Sequence, residues 1–174
     1  MLGLDRKIVE LVSYQKEWKT LFEREEKSIR AAVGDFALAI EHIGSTAIPN
    51  LVAKPIIDIM VGVRDLSEVE KFLREPLEKI GYEYRGEAGI AGRLYFRKGT
   101  ATVSTHHLSL VGFGGDIWKR QIAFRNYLRE HPQAARKYDE LKKDLAMKFR
   151  DNREAYTNAK TEFVEEILRA ADLT

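Results

Sequence analysis

The sequence predicts an α/β (α+β) fold, with a mixed sheet of about five strands between an N-terminal helix and a set of C-terminal helices. Apolar residues recur at three- and four-residue steps in residues 16–33 and again beyond residue 116, as amphipathic helices require. Between these segments, short β-branched stretches are separated by glycine-containing turns, as expected of strands. At 174 residues the chain has the length of one domain. We therefore expect a single domain over residues 1–174, with its core at about 1–115 and a helical part at about 116–174.

Each element follows from a local pattern. Gly34 ends the first helix. Ser67 and Glu70 have the spacing of a capping box, which predicts the start of the second helix. Pro76 predicts a kink within that second helix. Short glycine turns join the last three strands, so these are expected to form an antiparallel meander. The predicted elements in order are helix 16–33, strands 37–43 and 56–63, helix 67–80, strands 82–85, 93–98 and 102–111, and helices over about 117–130, 134–149 and 159–171.

Composition excludes several classes of function. The chain has no cysteine, so it has no disulfide, no thiolate metal site and no cysteine nucleophile. Its net charge of +2 is too small to indicate nucleic-acid binding. The charged start of the chain is unlike a signal peptide, and Asp58 interrupts the longest apolar strand, so we expect a cytoplasmic protein without a membrane partner.

The segment Gly44-Ser45-Thr46 follows directly after a predicted strand and is the first candidate site. Glycine permits backbone geometries that other residues resist, and a hydroxyl residue can cap the short turn that follows. Such a turn leaves backbone N–H groups free to bind an anion. Lys54 lies nearby in the sequence and is able to neutralise phosphate charge, although an exposed lysine before a proline is equally consistent with solvated surface.

Asp58 lies within the apolar strand 56–63, where a carboxylate is costly to bury. Strand alternation places Asp58 and Met60 on one face and Ile57 and Ile59 on the other. The free-energy cost of burying this carboxylate suggests that Asp58 has a functional role, as a catalytic or metal-binding residue. A structural role is the alternative, in which Asp58 caps a neighbouring helix or pairs with Lys54 or an arginine.

His107 is the second candidate for chemistry. In strand 102–111 it alternates with His106, so one histidine faces the core side of the sheet and the other faces outward. A buried histidine is more often a hydrogen-bonded structural residue than a ligand. Arg93 and Tyr95 share a face of the preceding strand, which predicts a cationic lining beside His107. Arg125, Arg129 and His131 could extend that lining, but the helix dipole explains them equally well.

Together these residues closely resemble the GrpB family, along nearly the whole chain. The resemblance is carried by residues 40–49 (IEHIGSTAIP), 54–59 (KPIIDI), 93–96 (RLYF) and 124–132 (FRNYLREHP). The family is placed by similarity in the nucleotidyltransferase superfamily, whose fold is that of the catalytic domain of DNA polymerase beta. The resemblance therefore implies a sheet of that topology.

It also implies a site. In the superfamily a Gly-Ser turn holds the phosphates of a nucleotide and two carboxylates on one strand bind Mg²⁺. Gly44 and Ser45 match the turn, with Thr46, Lys54 and Arg93 as further phosphate-binding candidates. Asp58 matches the first carboxylate, with Glu41 or His107 as a further candidate for the metal site. Met60 stands at the position of the second carboxylate, and a thioether is a poor ligand for a hard cation. We expect Met60→Asp to raise Mg²⁺ affinity and to lower the stability of the metal-free protein.

Three functions are consistent with these features. The first is an enzyme that transfers a nucleotidyl group from a nucleoside triphosphate to a small acceptor with Mg²⁺. The second is a nucleotide- or phosphate-binding protein with reduced or no transfer activity. The third is a protein-interaction module, because relatives of this family resemble a segment appended to dephospho-coenzyme A kinases. Met60 favours the last two, whereas Gly44 and Asp58 favour a working anion or metal site.

Overall fold

A computed structural model describes residues 2–173. Its strands are β1 (Leu4–Asp5), β2 (Ala39–Ile43), β3 (Ile57–Val63), β4 (Tyr82–Tyr84), β5 (Arg93–Gly99) and β6 (Val103–Gly112). Its α-helices are α1 (Glu17–Val33), α2 (Leu66–Phe72), α3 (Arg74–Lys79), α4 (Asp116–Glu130), α5 (Pro132–Lys148), α6 (Arg153–Asn158) and α7 (Thr161–Ala170). The expected mixed α/β class is confirmed.

The strands form one mixed sheet in the order β2-β3-β6-β5-β4, with β1 paired to the start of β6. β3 and β6 are parallel, whereas the other neighbours are antiparallel. The meander predicted for the last three strands is therefore confirmed. The parallel pairing places β3 and β6 side by side, with Asp58 opposite His107.

Each face of the sheet packs against different helices. On one face α1, α2 and α3 cover the side chains of Ile57, Ile59 and Leu108, which have almost no solvent exposure. On the other face, Trp118 of α4 packs on Met60. A third apolar cluster joins α4, α5 and α7 to the loop between β2 and β3. The C-terminal helices thus hold that loop at the edge of the second face.

Several predicted boundaries needed correction. The helix expected over 67–80 divides at Leu73 into α2 and α3, so that Pro76 falls in the first turn of α3, where a proline removes no intrahelical hydrogen bond. The cap of α2 is Asp65, whose carboxylate accepts from the N–H of Ser67 at 2.8 Å, rather than the predicted Ser67–Glu70 box. The third C-terminal helix begins only at α7, after the separate short helix α6. The short strand β1 was not expected.

None of the helices described between residues 2 and 173 combines the length and the apolar character that crossing a bilayer requires.

Candidate functional site

A cleft lies between the second face of the sheet, the turn after β2 and the helices α4 to α7. It consists of two adjoining cavities, which we call the first lobe (about 360 Å³) and the second lobe (about 420 Å³). Volumes of this size are typical of sites for small ligands. The residues that line both lobes are Gly44, Lys54, Asp58, His107 and Gln121.

A hydrogen-bonded Asp58–His107 pair lies where the two lobes meet. The parallel register of β3 and β6 sets these residues opposite each other, and Asp58 Oδ1 lies 2.9 Å from His107 Nδ1. Burial by itself would raise the pKa of the Asp58 carboxyl. The hydrogen bond and positive charge of His107, with the charge of Lys54, outweigh burial and lower that pKa. Since an ionised carboxylate only accepts, Nδ1 of His107 carries the proton, and Nε2 forms no hydrogen bond within residues 2–173.

Gly44 allows the turn after β2 to approach Asp58. Its backbone has φ +69° and ψ −172°, a combination that is essentially restricted to glycine. A Cβ atom at this position would lie 2.5 Å from Asp58 Oδ2. Glycine is therefore required here both by the backbone conformation and by the closeness of the carboxylate.

Backbone pairing on both sides of Lys54 holds it in the cleft. Ala53 exchanges two hydrogen bonds with Val12, at 2.9 and 3.0 Å, and the carbonyl of Pro55 accepts from Gly3 N–H at 2.7 Å. The Lys54 amine lies 5.5 Å from the centroid of the Tyr156 ring. Burial and the nearby Arg153 lower the pKa of Lys54 to about 8, despite the opposing charge of Asp58.

Two further lysines enter the first lobe from the C-terminal helical part, Lys142 from α5 and Lys160 from the turn before α7. The amine of Lys160 lies 4.3 Å from the centroid of the same Tyr156 ring, so that ring contacts two ammonium groups. Lys142 of α5 is 1% exposed, donates to the carbonyl of Val52 and lies over the ring of Tyr138. Burial is the main cause that lowers the pKa of Lys142 and Lys160 to about 7, and the charge of Lys54 adds to the effect at Lys160.

The cleft carries an excess of positive charge. Among the described residues, no ion pair joins Lys54, Lys142, Lys160 or Arg153 to a carboxylate. The carboxylate of Asp58, which lines both lobes, is already hydrogen-bonded to His107. Partly buried cations without partners are costly, and an anionic ligand offsets that cost. The arrangement is chemically suited to bind a multiply charged anion.

The lysine pKa values predict how the stability of the ligand-free protein changes with pH. Between a folded-state pKa of about 7 for Lys142 and its ordinary value of 10.5, the unfolded state binds more protons. The free energy of unfolding therefore rises with pH across that range, by at most about 1.4 kcal/mol per pH unit for one lysine. We expect denaturant unfolding between pH 7 and 10 to show this rise and Lys142→Met to reduce its slope, while Lys54 and Lys160 still contribute to it. Lys137→Met, on the exposed side of α5, is the control. If the unfolding free energy rises equally with pH in the unmodified protein and in both variants, the lowered pKa of Lys142 is contradicted.

The structure brings together most of the residues that the sequence singled out. Gly44, Ser45, Lys54, Asp58 and His107 all line the first lobe. Arg93 lines the second lobe, where its guanidinium donates to the carbonyl groups of Glu87 and Ala88.

Thr46 and Glu41 are placed differently. The Thr46 hydroxyl is buried, lies 2.9 Å from His42 Nε2 and donates to the Ile56 carbonyl at 3.4 Å. Its side chain is therefore directed to the protein interior, although its residue borders the first lobe. The Glu41 carboxylate pairs with Arg125 at 2.6 Å and lines a separate recess, so the structure does not bring it into the cleft with Asp58.

Met60 shares a face with Asp58 as strand alternation predicts, but it does not face the cleft. Its side chain is 0% exposed and packs with Ile43, Val111 and Trp118. Met60, the position at which the sequence resemblance implied a second carboxylate, is thus covered by α4. No group of three or more His, Asp or Glu side chains able to hold a metal occurs within residues 2–173.

Arg125 and Arg129 of α4, for which an extension of the cationic lining was one of two interpretations, lie in a separate recess. Arg125 donates to Glu41 and to the carbonyl of His42, and Arg129 donates twice to the carbonyl of Ala47. These two arginines bind the turn after β2 on the side opposite the cleft. No sequence pattern predicted five further residues of the site, which are Lys142, Lys160, Tyr138, Tyr156 and Arg153. Lys142, on α5, gave no local signal of burial, because it lies among other charged residues.

The comparisons with known proteins agree with this chain's fold and identify its family. A family model described as GrpB protein matches residues 8–170, and the chain belongs to the GrpB family. It is 42% identical over 171 residues to a protein named glutamate-rich protein GrpB from Alkalihalophilus pseudofirmus, covering 97% of this chain and 98% of that protein. It also resembles the crystal structure of conserved protein GrpB from Enterococcus faecalis, with 42% identity and a TM-score of 0.85, covering 93% of this chain and 96% of that one.

A partial similarity links the chain to a different protein. Over 77 residues it is 36% identical to a protein named dephospho-CoA kinase from Mycolicibacterium paratuberculosis. This match covers 42% of the present chain and 19% of that protein. The similarity is therefore to a segment of the kinase-named protein and not to its whole length.

Proposed function

We propose that this protein binds a phosphorylated small molecule in the cleft, with a phosphate group in the first lobe. The observation that carries the proposal is the set of three lysine amines, from Lys54, Lys142 and Lys160, that line one cavity without a carboxylate partner among residues 2–173. Lysine is a common phosphate ligand because its ammonium is a compact point charge with three donors. A phosphate dianion in this cavity offsets their mutual repulsion.

Nucleoside triphosphates are one class of ligand within this proposal, and nucleotidyl transfer with Mg²⁺ stays a prediction. Mg²⁺ requires about six oxygen ligands. Asp58 supplies a carboxylate in the cleft, whereas the position of Met60 supplies none. The remaining ligands would have to be phosphate and water oxygens. We therefore expect phosphate binding that does not depend on Mg²⁺ and weak or absent nucleotidyl transfer.

Calorimetric titration with inorganic pyrophosphate tests the proposal. We expect saturable binding and a loss of about tenfold or more in affinity for Lys160→Met, because a charge-assisted hydrogen bond contributes about 1.5–3 kcal/mol. Lys119→Met, on the exposed side of α4, is the matched control and should bind as the unmodified protein does. Absence of saturable binding, or equal losses in both variants, would refute the proposed site.

The same titration with Mg²⁺ present examines the role of Asp58. If Mg²⁺ tightens pyrophosphate binding through Asp58, then Asp58→Asn removes that gain while it preserves side-chain volume. If Mg²⁺ raises the pyrophosphate affinity of Asp58→Asn by the same factor, the ion binds to pyrophosphate and not to Asp58.

A second candidate function is that of an accessory module that associates with another protein. The observation that favours it is the partial similarity to the dephospho-CoA kinase from M. paratuberculosis. In this case we expect the purified chain to form a complex with the dephospho-CoA kinase of its own organism in sedimentation-velocity experiments. Independent sedimentation of the two proteins at micromolar concentration would remove this candidate.

A further inference from the structure

The second lobe contains its own positively charged groups. Arg93 and Arg153 both line it, and within residues 2–173 neither is in an ion pair with a carboxylate. The Arg93 guanidinium is oriented by the carbonyl groups of Glu87 and Ala88, at 3.0–3.2 Å, and lies 4.8 Å from the centroid of the Tyr95 ring. Arg153 donates to the carbonyl of Arg6 at 3.1 Å. Carbonyl groups fix these side chains in place but leave their charge uncompensated.

The region between the lobes differs in that it holds a carboxylate, Asp58, beside the Lys54 amine, and both residues border the two lobes. The ionised carboxylate of Asp58 lies there with His107, and because it only accepts hydrogen bonds it offers no donor to a phosphate group. The side chain of Asp58 is 37% exposed, so a ligand can reach its oxygens. An acceptor of this kind suits a neutral donor such as a hydroxyl group. Nε2 of His107 offers a second polar contact at the same point.

Cationic side chains thus line the cleft on either side of the Asp58 carboxylate, whose own charge is offset by the neighbouring His107 and Lys54. We propose that the ligand carries a phosphate group at each end and a hydroxyl-bearing, uncharged middle, as in a sugar bisphosphate. One phosphate occupies the first lobe beside Lys160, the other occupies the second lobe beside Arg93, and a hydroxyl donates to Asp58. This inference rests on the proposed function for the first lobe and adds the second lobe and the middle to it.

The two-ended ligand explains features that a single phosphate leaves without a role. A phosphate in the first lobe offsets the charge of the lysines but leaves that of Arg93 and Arg153. Two phosphates joined in one molecule offset both sets, and the second contact forms without a further loss of translational freedom. Affinity for the joined ligand should therefore exceed that for either half.

Binding of paired sugar phosphates tests the inference. Hexose 1,6-bisphosphate and pentose 1,5-bisphosphate are each titrated against the matching monophosphates by calorimetry. We expect at least one bisphosphate to bind about tenfold or more tightly than its monophosphates. 1,6-Hexanediol bisphosphate, which has no hydroxyl in its middle, should bind more weakly than the hexose compound.

Variants in the two lobes separate the two contacts. Lys160→Met should weaken binding of the bisphosphate and of pyrophosphate, whereas Arg93→Met should weaken the bisphosphate about tenfold and pyrophosphate much less. Arg85→Met, at an exposed arginine paired with Glu83 outside the cleft, is the control for Arg93→Met. Thermal melts show whether each variant is folded.

The outcomes distinguish this inference from the proposed function. If pyrophosphate binds through Lys160 but no bisphosphate exceeds its monophosphates, or if Arg93→Met has no effect on a bisphosphate, the two-ended ligand is wrong and the phosphate site in the first lobe stands. If the hexanediol compound binds as tightly as the hexose compound, the hydroxyl-bearing middle is wrong. If neither pyrophosphate nor any sugar phosphate binds, both are wrong.

Discussion

Met60→Asp is expected to destabilise the protein by more than about 4 kcal/mol, which is among the largest effects of single substitutions. Met60 has no exposed surface and packs beneath Trp118, next to Ile43 and Val111. A carboxylate at this position loses its hydration without gaining a partner, and the apolar contacts of the thioether are lost as well. Denaturant unfolding of the variant and the unmodified protein measures the difference.

Met60→Leu is the matched control, because it conserves volume and apolar character and should cost less than about 1.5 kcal/mol. The buried position also alters the expectation that Met60→Asp would add a second metal ligand. A carboxylate beneath α4 reaches the cleft only if Trp118 is displaced. A stable Met60→Asp protein with raised Mg²⁺ affinity would show that α4 moves readily and that a carboxylate at residue 60 reaches the cleft.

Gly44→Ala is expected to have the second-largest effect, through two separate costs. A residue with a Cβ atom in the backbone conformation of Gly44 costs about 1–3 kcal/mol. In addition, the new Cβ atom lies 2.5 Å from Asp58 Oδ2, so the carboxylate must move away from its position beside His107. We expect a loss of unfolding free energy together with a change in the imidazole nitrogen NMR signals of His107.

Gly34→Ala separates these two costs. Gly34 also has a positive φ, at +55°, but a Cβ atom there meets no described atom within 4 Å. Its substitution should therefore cost only the conformational part and leave the His107 signals unchanged. Equal losses for the two variants, with His107 unaffected in both, would show that the approach of Gly44 to Asp58 is not required.

The amino-acid sequence by itself determined the elements whose cause is local. The apolar repeat of residues 16–33 and the glycine after it predicted α1 to within one residue, because an amphipathic helix needs no distant information to be recognised. Strand alternation likewise placed Asp58 and His107 on strand faces that can lie on the same side of the sheet. In the structure, Asp58 Oδ1 lies 2.9 Å from His107 Nδ1. The resemblance along residues 40–59 identified the family, which the comparisons confirm.

Only the tertiary structure decided which groups meet at the site and which are removed from it. Met60 follows the same alternation as Asp58, yet α4 covers it, and Glu41 pairs with Arg125, 84 residues away. Lys142 and Lys160 join the site from the C-terminal helical part, far along the chain from Asp58. Burial and charge pairing depend on which elements pack together. A local pattern shows that a side chain is polar or apolar, but the partner that covers or neutralises it comes from a distant segment, and the fold alone brings that segment into place.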